Sequence, residues 1–179
     1  MTRTVAQIRP ATMDDAAAIA TIYNQGIRER IATFETEERT PEERRHWLAG
    51  HDDAHPVIVA TLPHASASAN ESPTVVGWAG TDGYRPRACY AGIAEFSVYI
   101  HTDYRGKGVG NVLMDGLLTA AGDAGLWKLV SRVFVENTAS RALLARVGFR
   151  EVGIYEKHGK LDGIWRDVVI VERLIPANL

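Results

Sequence analysis

The sequence is poor in cysteine, in long apolar runs and in excess charge of one sign, and each shortage excludes a class of protein. The single cysteine, Cys89, cannot form a disulfide within the chain, and we expect it to be a small buried residue. No run of about 18 apolar residues is present, which excludes a transmembrane helix. With 20 basic and 22 acidic residues, the net charge of -2 favours neither nucleic acid nor a membrane surface as a partner. A small-molecule partner is therefore the default expectation.

Two further patterns are missing from the sequence. Residues 1–10 contain no apolar segment typical of a secretory signal, so we expect a cytoplasmic protein. The histidines show no spacing typical of a metal site, and no metal is predicted. The 179 residues are 46% hydrophobic and 23% charged, which is the composition of an ordinary globular protein. We therefore predict one domain over residues 5–175.

Hydrophobic periodicity and helix start signals predict an alternation of helices and strands. Helices are predicted over 12–28, 40–49, 108–124 and 138–147, and strands over 5–9, 56–60, 74–79, 94–101, 127–135, 149–155 and 166–174. This order predicts an α/β fold with a mixed central sheet of about seven strands flanked by about four helices.

Composition also predicts the packing of two other parts of the chain. Residues near 62–73 are rich in Ala, Ser, Asn and Pro, which predicts a mobile loop. Trp78 and Trp127 lie on predicted strands, Trp165 directly precedes one, and all three are expected to pack in the core.

A glycine-rich turn between a predicted strand and a predicted helix is the strongest chemical signal. Backbone N–H groups at a helix start have no intrahelical acceptor, and glycines let an anion approach them closely. The pattern matches neither the Walker loop, since no Gly-Lys-Ser/Thr follows, nor the Rossmann fingerprint, which lies near the start of its domain. We predict a pyrophosphate-binding turn formed by Arg105, Gly106, Lys107, Gly108, Val109 and Gly110.

This turn, following a Val-x-Ile strand, resembles the acetyl-CoA signature of the GNAT superfamily of N-acetyltransferases. The stretch Asn137-Thr138-Ala139-Ser140, followed by Val147-Gly148-Phe149, resembles a second element of that superfamily. The chain is also similar to the phosphinothricin-type acetyltransferases, and most to their arsinothricin N-acetyltransferase branch. Three stretches carry this closer likeness, namely 32–36, 90–100 and 157–168. The resemblance implies the GNAT fold, acetyl-CoA as co-substrate and a homodimer.

The resemblance also implies roles for individual residues. Glu95 is the expected general base, because its strand faces the thioester in the family and a carboxylate can accept an ammonium proton through water. An ordinary carboxylate facing solvent is the alternative. Backbone N–H groups near the end of the same strand are expected to polarise the acetyl carbonyl. The implied cofactor contacts outside the turn are Val98, Tyr99, Ile100, Asn137 and Ser140.

Three residues are candidates for binding the acceptor. Arg85 and Arg87 flank the approach to the Glu95 strand, and two guanidinium groups suit a carboxylate together with a phosphinate or arsinate. Solvated loop charges are the alternative for both arginines. By resemblance, Phe34 forms an apolar wall of the pocket with Thr33, and plain core packing is the alternative.

One position departs from the superfamily pattern. Seven residues after Asn137, many GNAT enzymes carry a tyrosine or histidine that protonates the leaving thiolate, and this chain has Leu144. A thiol with a pKa of about 8.5 is a tolerable leaving group that water or another side chain can protonate. Tyr104, Tyr155 and His158 are the candidate substitutes.

The leading hypothesis is therefore an acetyl-CoA-dependent N-acetyltransferase that acts on the α-amino group of a small amino acid or a toxic analogue, and so confers antibiotic or herbicide resistance. Acetylation of a polyamine, an aminoglycoside or a protein N-terminus is the alternative within enzymes. An acyl-CoA-binding sensor without turnover is the alternative outside them.

Overall fold

The computed structural model describes residues 5–63 and 73–179. The strands are β1 (Gln7–Pro10), β2 (Val57–Leu62), β3 (Thr74–Gly83), β4 (Ile93–Ile100), β5 (Lys128–Phe134), β6 (Arg150–Leu161) and β7 (Ile164–Leu174). The α-helices are α1 (Ala16–Glu29), α2 (Pro41–Ala49), α3 (Val109–Asp123) and α4 (Thr138–Arg146). The mobile loop predicted near 62–73 lies mostly outside the described residues and stays a prediction.

The seven strands form one mixed sheet in the order β1-β2-β3-β4-β5-β7-β6. Only β4 and β5 run parallel among these neighbours, and the other pairs are antiparallel. A parallel pair requires a crossover connection, and α3 lies in that connection. The predicted α/β class, with a mixed sheet of about seven strands and about four helices, is confirmed.

The helices cover the sheet on two faces, as the alternation along β2 shows. Val57 and Val59 pack in a cluster with the apolar side of α1 and with Trp78. Ile58 and Ala60 point to the other face and pack in the cluster that includes α3 and α4. None of the helices within the described residues has the length and apolarity that crossing a membrane requires.

The start signals of the first two helices are satisfied by hydrogen bonds. The side chain of Thr40 accepts from the backbone N–H of Glu43 at 3.1 Å, and Pro41 occupies the first position of α2. Before α1, the carboxylate of Asp15 accepts from the backbone N–H of Thr12 at 2.7 Å. The Asp15 carboxylate also accepts from Arg9 on β1 at 2.7 Å, which ties the start of α1 to that edge strand.

Strands β4 and β5 part after three paired positions. Pairing runs from Ile93 with Lys128 to Glu95 with Val130. Just beyond it, the hydroxyl of Ser131 donates to the carbonyl oxygen of Phe96 at 2.9 Å. A side chain therefore replaces the next backbone bond, and a gap opens between the two strands.

The β6 and β7 strands form a longer hairpin than predicted, since β6 continues to Leu161 and β7 already begins at Ile164. The two residues between them, Asp162 and Gly163, have φ values of 48° and 80°. Positive φ at both central residues is what the type I′ hairpin turn requires, and the Asp-Gly pair is its sequence signal. The missed hairpin makes β6 a long edge strand whose side chains are mostly exposed.

Two burial predictions are wrong, and one is confirmed. Trp78 is buried in the core as expected. Trp165 is 51% exposed, because it lies near the tip of the β6–β7 hairpin, beside the edge strand. Cys89 is exposed, because it lies on a single 3₁₀ turn over Ala88–Tyr90 at the surface.

Candidate active site

The glycine-rich turn lies between the end of β4 and the start of α3. Gly106 and Gly108 have φ values of 70° and 89°, a conformation that side chains other than glycine rarely adopt. The first helical hydrogen bond that the turn accepts is donated by the backbone N–H of Val112 to the carbonyl oxygen of Gly108. The N–H groups that precede it at the helix start have no intrahelical acceptor, so the turn can bind an anion.

The two cations of the turn have different surroundings. Arg105 donates to both carboxylate oxygens of Glu29 on α1, at 2.8 and 2.9 Å, and to the carbonyl oxygen of Ile100 at 3.1 Å. The ammonium of Lys107 lies 5.4 Å from the centre of the Tyr104 ring. Arg105 therefore ties the turn to α1 and β4, and its predicted contact with a cofactor stays a prediction.

Gly110 serves the packing of two helices. A Cβ atom at this position would lie 3.0 Å from the side chain of Leu143 on α4. A Cβ atom at Gly106 would meet nothing within 4 Å. The three glycines of the turn thus have different physical roles, with the first two setting its shape and the third allowing α3 to approach α4.

The end of β4 presents backbone groups to the gap between β4 and β5. The N–H of His101 donates to Val76 of β3 at 2.9 Å, so odd-numbered residues of β4 direct their backbone groups toward β3. Backbone groups alternate along a strand, and those of Val98 and Ile100 therefore point into the gap. Of the predicted residues, these two can offer N–H groups to an acetyl carbonyl.

Tyr99 differs from its two neighbours because its backbone faces β3. Its ring stacks on Trp78, with centroids 5.0 Å apart, and meets the edge of Tyr23 at 4.9 Å. Its hydroxyl donates to the carbonyl oxygen of Ala32 at 3.4 Å. Burial raises the pKa of Tyr99, so the phenol is neutral at physiological pH.

Glu95 and Arg132 form an ion pair across the gap between β4 and β5. Arg132 donates from Nη2 to Oε2 of Glu95. The side chains are 33% and 43% exposed, so solvent and a small molecule can reach both charges. Glu95 occupies the last paired position of the two strands, and Arg132 lies two residues beyond its partner Val130.

Two cavities adjoin this ion pair. The first, here the Phe34 cavity, has a volume of about 390 Å³ and lies between the segment that follows α1 and the strands β4 and β5. The second, here the Arg85 cavity, has a volume of about 370 Å³ and is bounded by β5, β6, β7 and the loop that follows β3. Both are lined by Glu95, Ser131 and Arg132.

Phe34 lines the cavity that we name after it and also packs against its wall. Its ring meets the edge of Phe134 with centroids 4.7 Å apart, and it covers Gly159 so closely that a Cβ there would lie 2.7 Å away. Thr33 lines the same cavity, with its hydroxyl 3.4 Å from that of Tyr23. The Phe34 side chain thus has both of the roles considered for it, since it forms a cavity wall and packs against its neighbours.

The two candidate acceptor-binding arginines lie in different surroundings. Arg85 lines the cavity that we name after it, and its guanidinium lies 5.1 Å from the centre of the Tyr84 ring. Arg87 precedes the 3₁₀ turn at Ala88–Tyr90, is exposed, and lines neither of the two cavities described above. Both arginines are exposed, and Arg85 alone of the two shares a cavity with Glu95.

Asn137 and Ser140 belong to the start of α4. The Asn137 side chain accepts from the N–H of Ser140 at 3.1 Å and donates to the carbonyl oxygen of Ile31 at 3.1 Å. The amide thereby caps the helix and ties it to the segment after α1. Leu144, one helical turn after Ser140, is buried in the core and 2% exposed. The proposed cofactor contacts of Asn137 and Ser140 stay predictions.

Sequence reasoning missed Arg132 and did not assign a place to His158. Arg132 carries no motif, and its importance follows from the register that sets β5 beside Glu95. His158 lines the Phe34 cavity, with its ring centre 6.4 Å from that of Phe34. Tyr155, another candidate proton donor, lines the Arg85 cavity. Within residues 5–63 and 73–179, no group of His, Cys, Asp and Glu side chains is arranged to hold a metal ion.

Known proteins resemble this chain along most of its length. It is 35% identical to the phosphinothricin N-acetyltransferase of Streptomyces coelicolor over 93% of this chain and 95% of that protein. It is 32% identical to the L-methionine sulfoximine/L-methionine sulfone acetyltransferase of Pseudomonas paraeruginosa, over 93% of each chain. A phosphinothricin acetyltransferase of Sinorhizobium meliloti, solved in complex with acetyl-CoA, superposes with a TM-score of 0.81 at 26% identity, over 95% of this chain and 88% of that chain.

The family assignment follows from these likenesses together with the sequence profile of a domain. Residues 6–150 match the acetyltransferase (GNAT) domain. The match includes the parted strands, the glycine-rich turn and the start of α4. The chain belongs to the GNAT family of acetyltransferases.

Proposed function

We propose that the chain transfers the acetyl group of acetyl-CoA to the α-amino group of a small amino acid or a toxic analogue, of the phosphinothricin, methionine sulfoximine or arsinothricin type. The observation that carries the proposal is the meeting of Glu95 with two cavities at the point where β4 and β5 part. The names of the relatives in Streptomyces and Pseudomonas support the class of acceptor.

The residues of the gap fit an extended thioester with a charged tail. The N–H groups at the start of α3 and the shape of Gly106 and Gly108 suit a pyrophosphate. The N–H groups of Val98 and Ile100 suit a pantetheine arm or a thioester oxygen, since a bound chain can replace the strand partner that β5 no longer provides. Acetyl-CoA, when bound, supplies the activated acetyl group.

The chemistry requires one proton acceptor and one polarised carbonyl. An alkylammonium has a pKa of about 10 and cannot attack until it loses a proton, which Glu95 accepts directly or through water. The amine nitrogen then forms a bond to the acetyl carbon, the bond from that carbon to sulfur breaks, and the nitrogen releases a second proton to solvent to leave the neutral amide. The departing thiolate takes a proton from water or a nearby side chain, because Leu144 has none to give.

The Arg85 cavity is lined by three cationic side chains, Arg85, Lys128 and Arg132, and by two carboxylates, Glu95 and Glu172. Arg85 lines the cavity next to Glu95 and suits an acidic group of the acceptor, whereas the exposed Arg87 lines neither cavity. A polyamine or aminoglycoside would instead favour an excess of carboxylates over cations around the acceptor. Phe34 and Phe134 offer an apolar surface for the acceptor's methylene groups.

We also propose a homodimer. Five large apolar side chains of the β6–β7 hairpin are at least half exposed, namely Val152, Ile154, Tyr155, Ile164 and Trp165. An edge strand with this composition is a template for pairing with another chain. A second copy that covers it would also close the outer side of the Arg85 cavity, which Val152 and Tyr155 line. Sedimentation velocity tests this, and a species with the mass of one chain at micromolar concentration would contradict it.

The proposed activity has a protective role in the cell. A cytoplasmic enzyme with this activity would protect its host from a toxic amino-acid analogue, because acetylation removes the charge of the α-amino group.

A panel assay of CoA release tests the proposed function. The purified chain is incubated with acetyl-CoA and phosphinothricin, methionine sulfoximine, arsinothricin, the ordinary amino acids, a polyamine, an aminoglycoside or an N-terminal peptide. Release with the amino-acid analogues, matched by the N-acetyl product in mass spectrometry, is expected. Preference for the polyamine, aminoglycoside or peptide would refute the acceptor class, and binding of acetyl-CoA without any release would favour a sensor.

A further inference from the structure

The Glu95–Arg132 ion pair joins two opposite charges at the boundary of both cavities. Pairing of β4 with β5 ends at Glu95 and Val130, and Arg132 lies two residues further along β5. The contact between the two side chains therefore bridges the gap, at the level where the strands separate. Both charges are partly exposed, so a ligand in either cavity can touch them.

An α-amino acid also carries one positive and one negative charge close together, on the ammonium and carboxylate groups attached to its α-carbon. Whichever cation binds its carboxylate must consequently lie beside the base that faces its ammonium group. Arg132 meets this condition because it contacts Glu95 itself. Lys128, another cation that lines the Arg85 cavity, is bound by Glu172 at 2.9 Å.

We propose that the Glu95–Arg132 pair is the recognition site for the α-ammonium and α-carboxylate of the acceptor. In this arrangement the carboxylate takes the place of Glu95 beside Arg132, and the ammonium takes the place of Arg132 beside Glu95. The inference rests on the proposed function and assigns its substrate class to named atoms.

The exchange of partners is physically favourable. The ion pair uses Nη2 of Arg132, and a guanidinium has five N–H donors, so a two-pronged bond to a carboxylate is available. An exposed ion pair contributes little to stability, so opening it costs little. Two ion pairs replace one, and the base is released from arginine at the moment when an ammonium group arrives.

This assignment leaves a separate role for Arg85. It lies on the loop after β3, on another wall of the Arg85 cavity than β5. A phosphinate, arsinate or sulfone group at the end of an acceptor side chain is several bonds from the α-carbon and would extend toward Arg85. One arginine thus recognises the amino-acid part, and the other recognises the side-chain oxygens.

A matched pair of acceptors tests the assignment. Methionine sulfone and its α-carboxamide share the side chain and the amine and differ in the carboxylate charge. In Arg132→Ala, kcat/KM for the acid should fall about 30-fold or more, whereas kcat/KM for the amide should change by no more than a few-fold. Arg132→Lys should give an intermediate loss for the acid.

Two further variants serve as comparisons. Arg85→Ala should reduce kcat/KM for the acid and the amide by the same factor. Arg28→Ala removes an exposed arginine that pairs with Glu38 at 2.8 Å outside both cavities, and it should change neither. Melting temperatures of all variants should stay close to that of the wild type, because these ion pairs are exposed.

The outcomes separate the inference from the proposed function. Equal losses for acid and amide in Arg132→Ala would overturn the inference, since Arg132 would then only position Glu95. Failure of the wild type to release CoA with any amino-acid acceptor would refute the proposed function and the inference together. A selective loss for the acid supports both.

Discussion

Replacing Glu95 by glutamine tests the proton-accepting role of this side chain. Glutamine keeps the length and planar end of glutamate, and its Oε1 can still accept from Arg132 in place of the carboxylate oxygen. The position of β4 relative to β5 should be preserved, because Ser131 and the backbone pairing hold it independently. The loss of rate therefore reports the missing carboxylate, which is the proton acceptor and, in the inferred recognition site, the partner of the ammonium group.

The size of the loss follows from the protonation of the acceptor. An ammonium with a pKa of about 10 is deprotonated in about one molecule in a thousand at pH 7. A variant without a base depends on that fraction, so kcat/KM should fall about 10³-fold, within the range of about 10² to 10⁴ typical of general bases. The deficit should shrink about tenfold for each unit by which the pH rises toward 10.

Initial rates of CoA release between pH 6.5 and 9.5 measure this dependence. The control is Glu151→Gln, in which an exposed carboxylate bound by Arg141 at 2.7 Å is changed in the same way outside both cavities. The control should match the wild type at every pH. Full activity of Glu95→Gln at pH 7, or a deficit that stays constant with pH, would refute the assignment of Glu95 as base.

Two further substitutions test the cofactor turn and the fold. Gly108→Val should raise the KM for acetyl-CoA at least about tenfold, because φ is 89° and a branched side chain would disturb the N–H groups of the turn. Gly125→Ala, with φ of 81° beyond the end of α3, is its control, and an unchanged KM in Gly108→Val would contradict the anion-binding turn. Burial raises the pKa of Asp15, but hydrogen bonds from Arg9 and Thr12 outweigh it, so the net pKa is lowered. A carboxyl group whose pKa is lowered by folding stabilises the folded state at pH values above its unfolded pKa of about 3.9. This stabilisation is lost as the pH falls through the pKa of the folded state. Asp15→Asn should thus unfold about 1–3 kcal/mol more easily in urea at pH 7, and the difference from wild type should decrease below pH 4; a difference that stays constant with pH would contradict the ion pair.

Most of the fold could be predicted because it depends on local patterns. The four-residue spacing of Ile19, Tyr23 and Ile27 predicts α1, and all three side chains are buried. The glycine-rich turn could be predicted because free N–H groups at a helix start follow from backbone geometry alone. These features need no knowledge of the neighbouring strands.

The parts that could not be predicted depend on pairing between distant segments. Arg132 meets Glu95 only because the parallel register of β4 and β5 sets them on either side of the gap, and no residue pattern encodes that register. Trp165 is exposed because β6 is an edge strand, which follows from the strand order and not from the composition of β7. Arg85 and Arg87 look equivalent in sequence, yet the path of one loop separates them.

The separation of β4 from β5 links the stability of the protein to the concentration of acetyl-CoA, its acetyl donor. Amide hydrogens of Val98 and Ile100, which lie beyond the last paired position, should exchange with solvent faster than that of His101, which is bonded to Val76. A ligand that bonds to them binds only the folded chain and stabilises it by RT ln(1 + [L]/Kd), about 2.7 kcal/mol at 100 times Kd. A cell depleted of acetyl-CoA would hold this chain in its less protected form and would expose it to proteases, so the lifetime of the protein would follow the metabolic state of the cell.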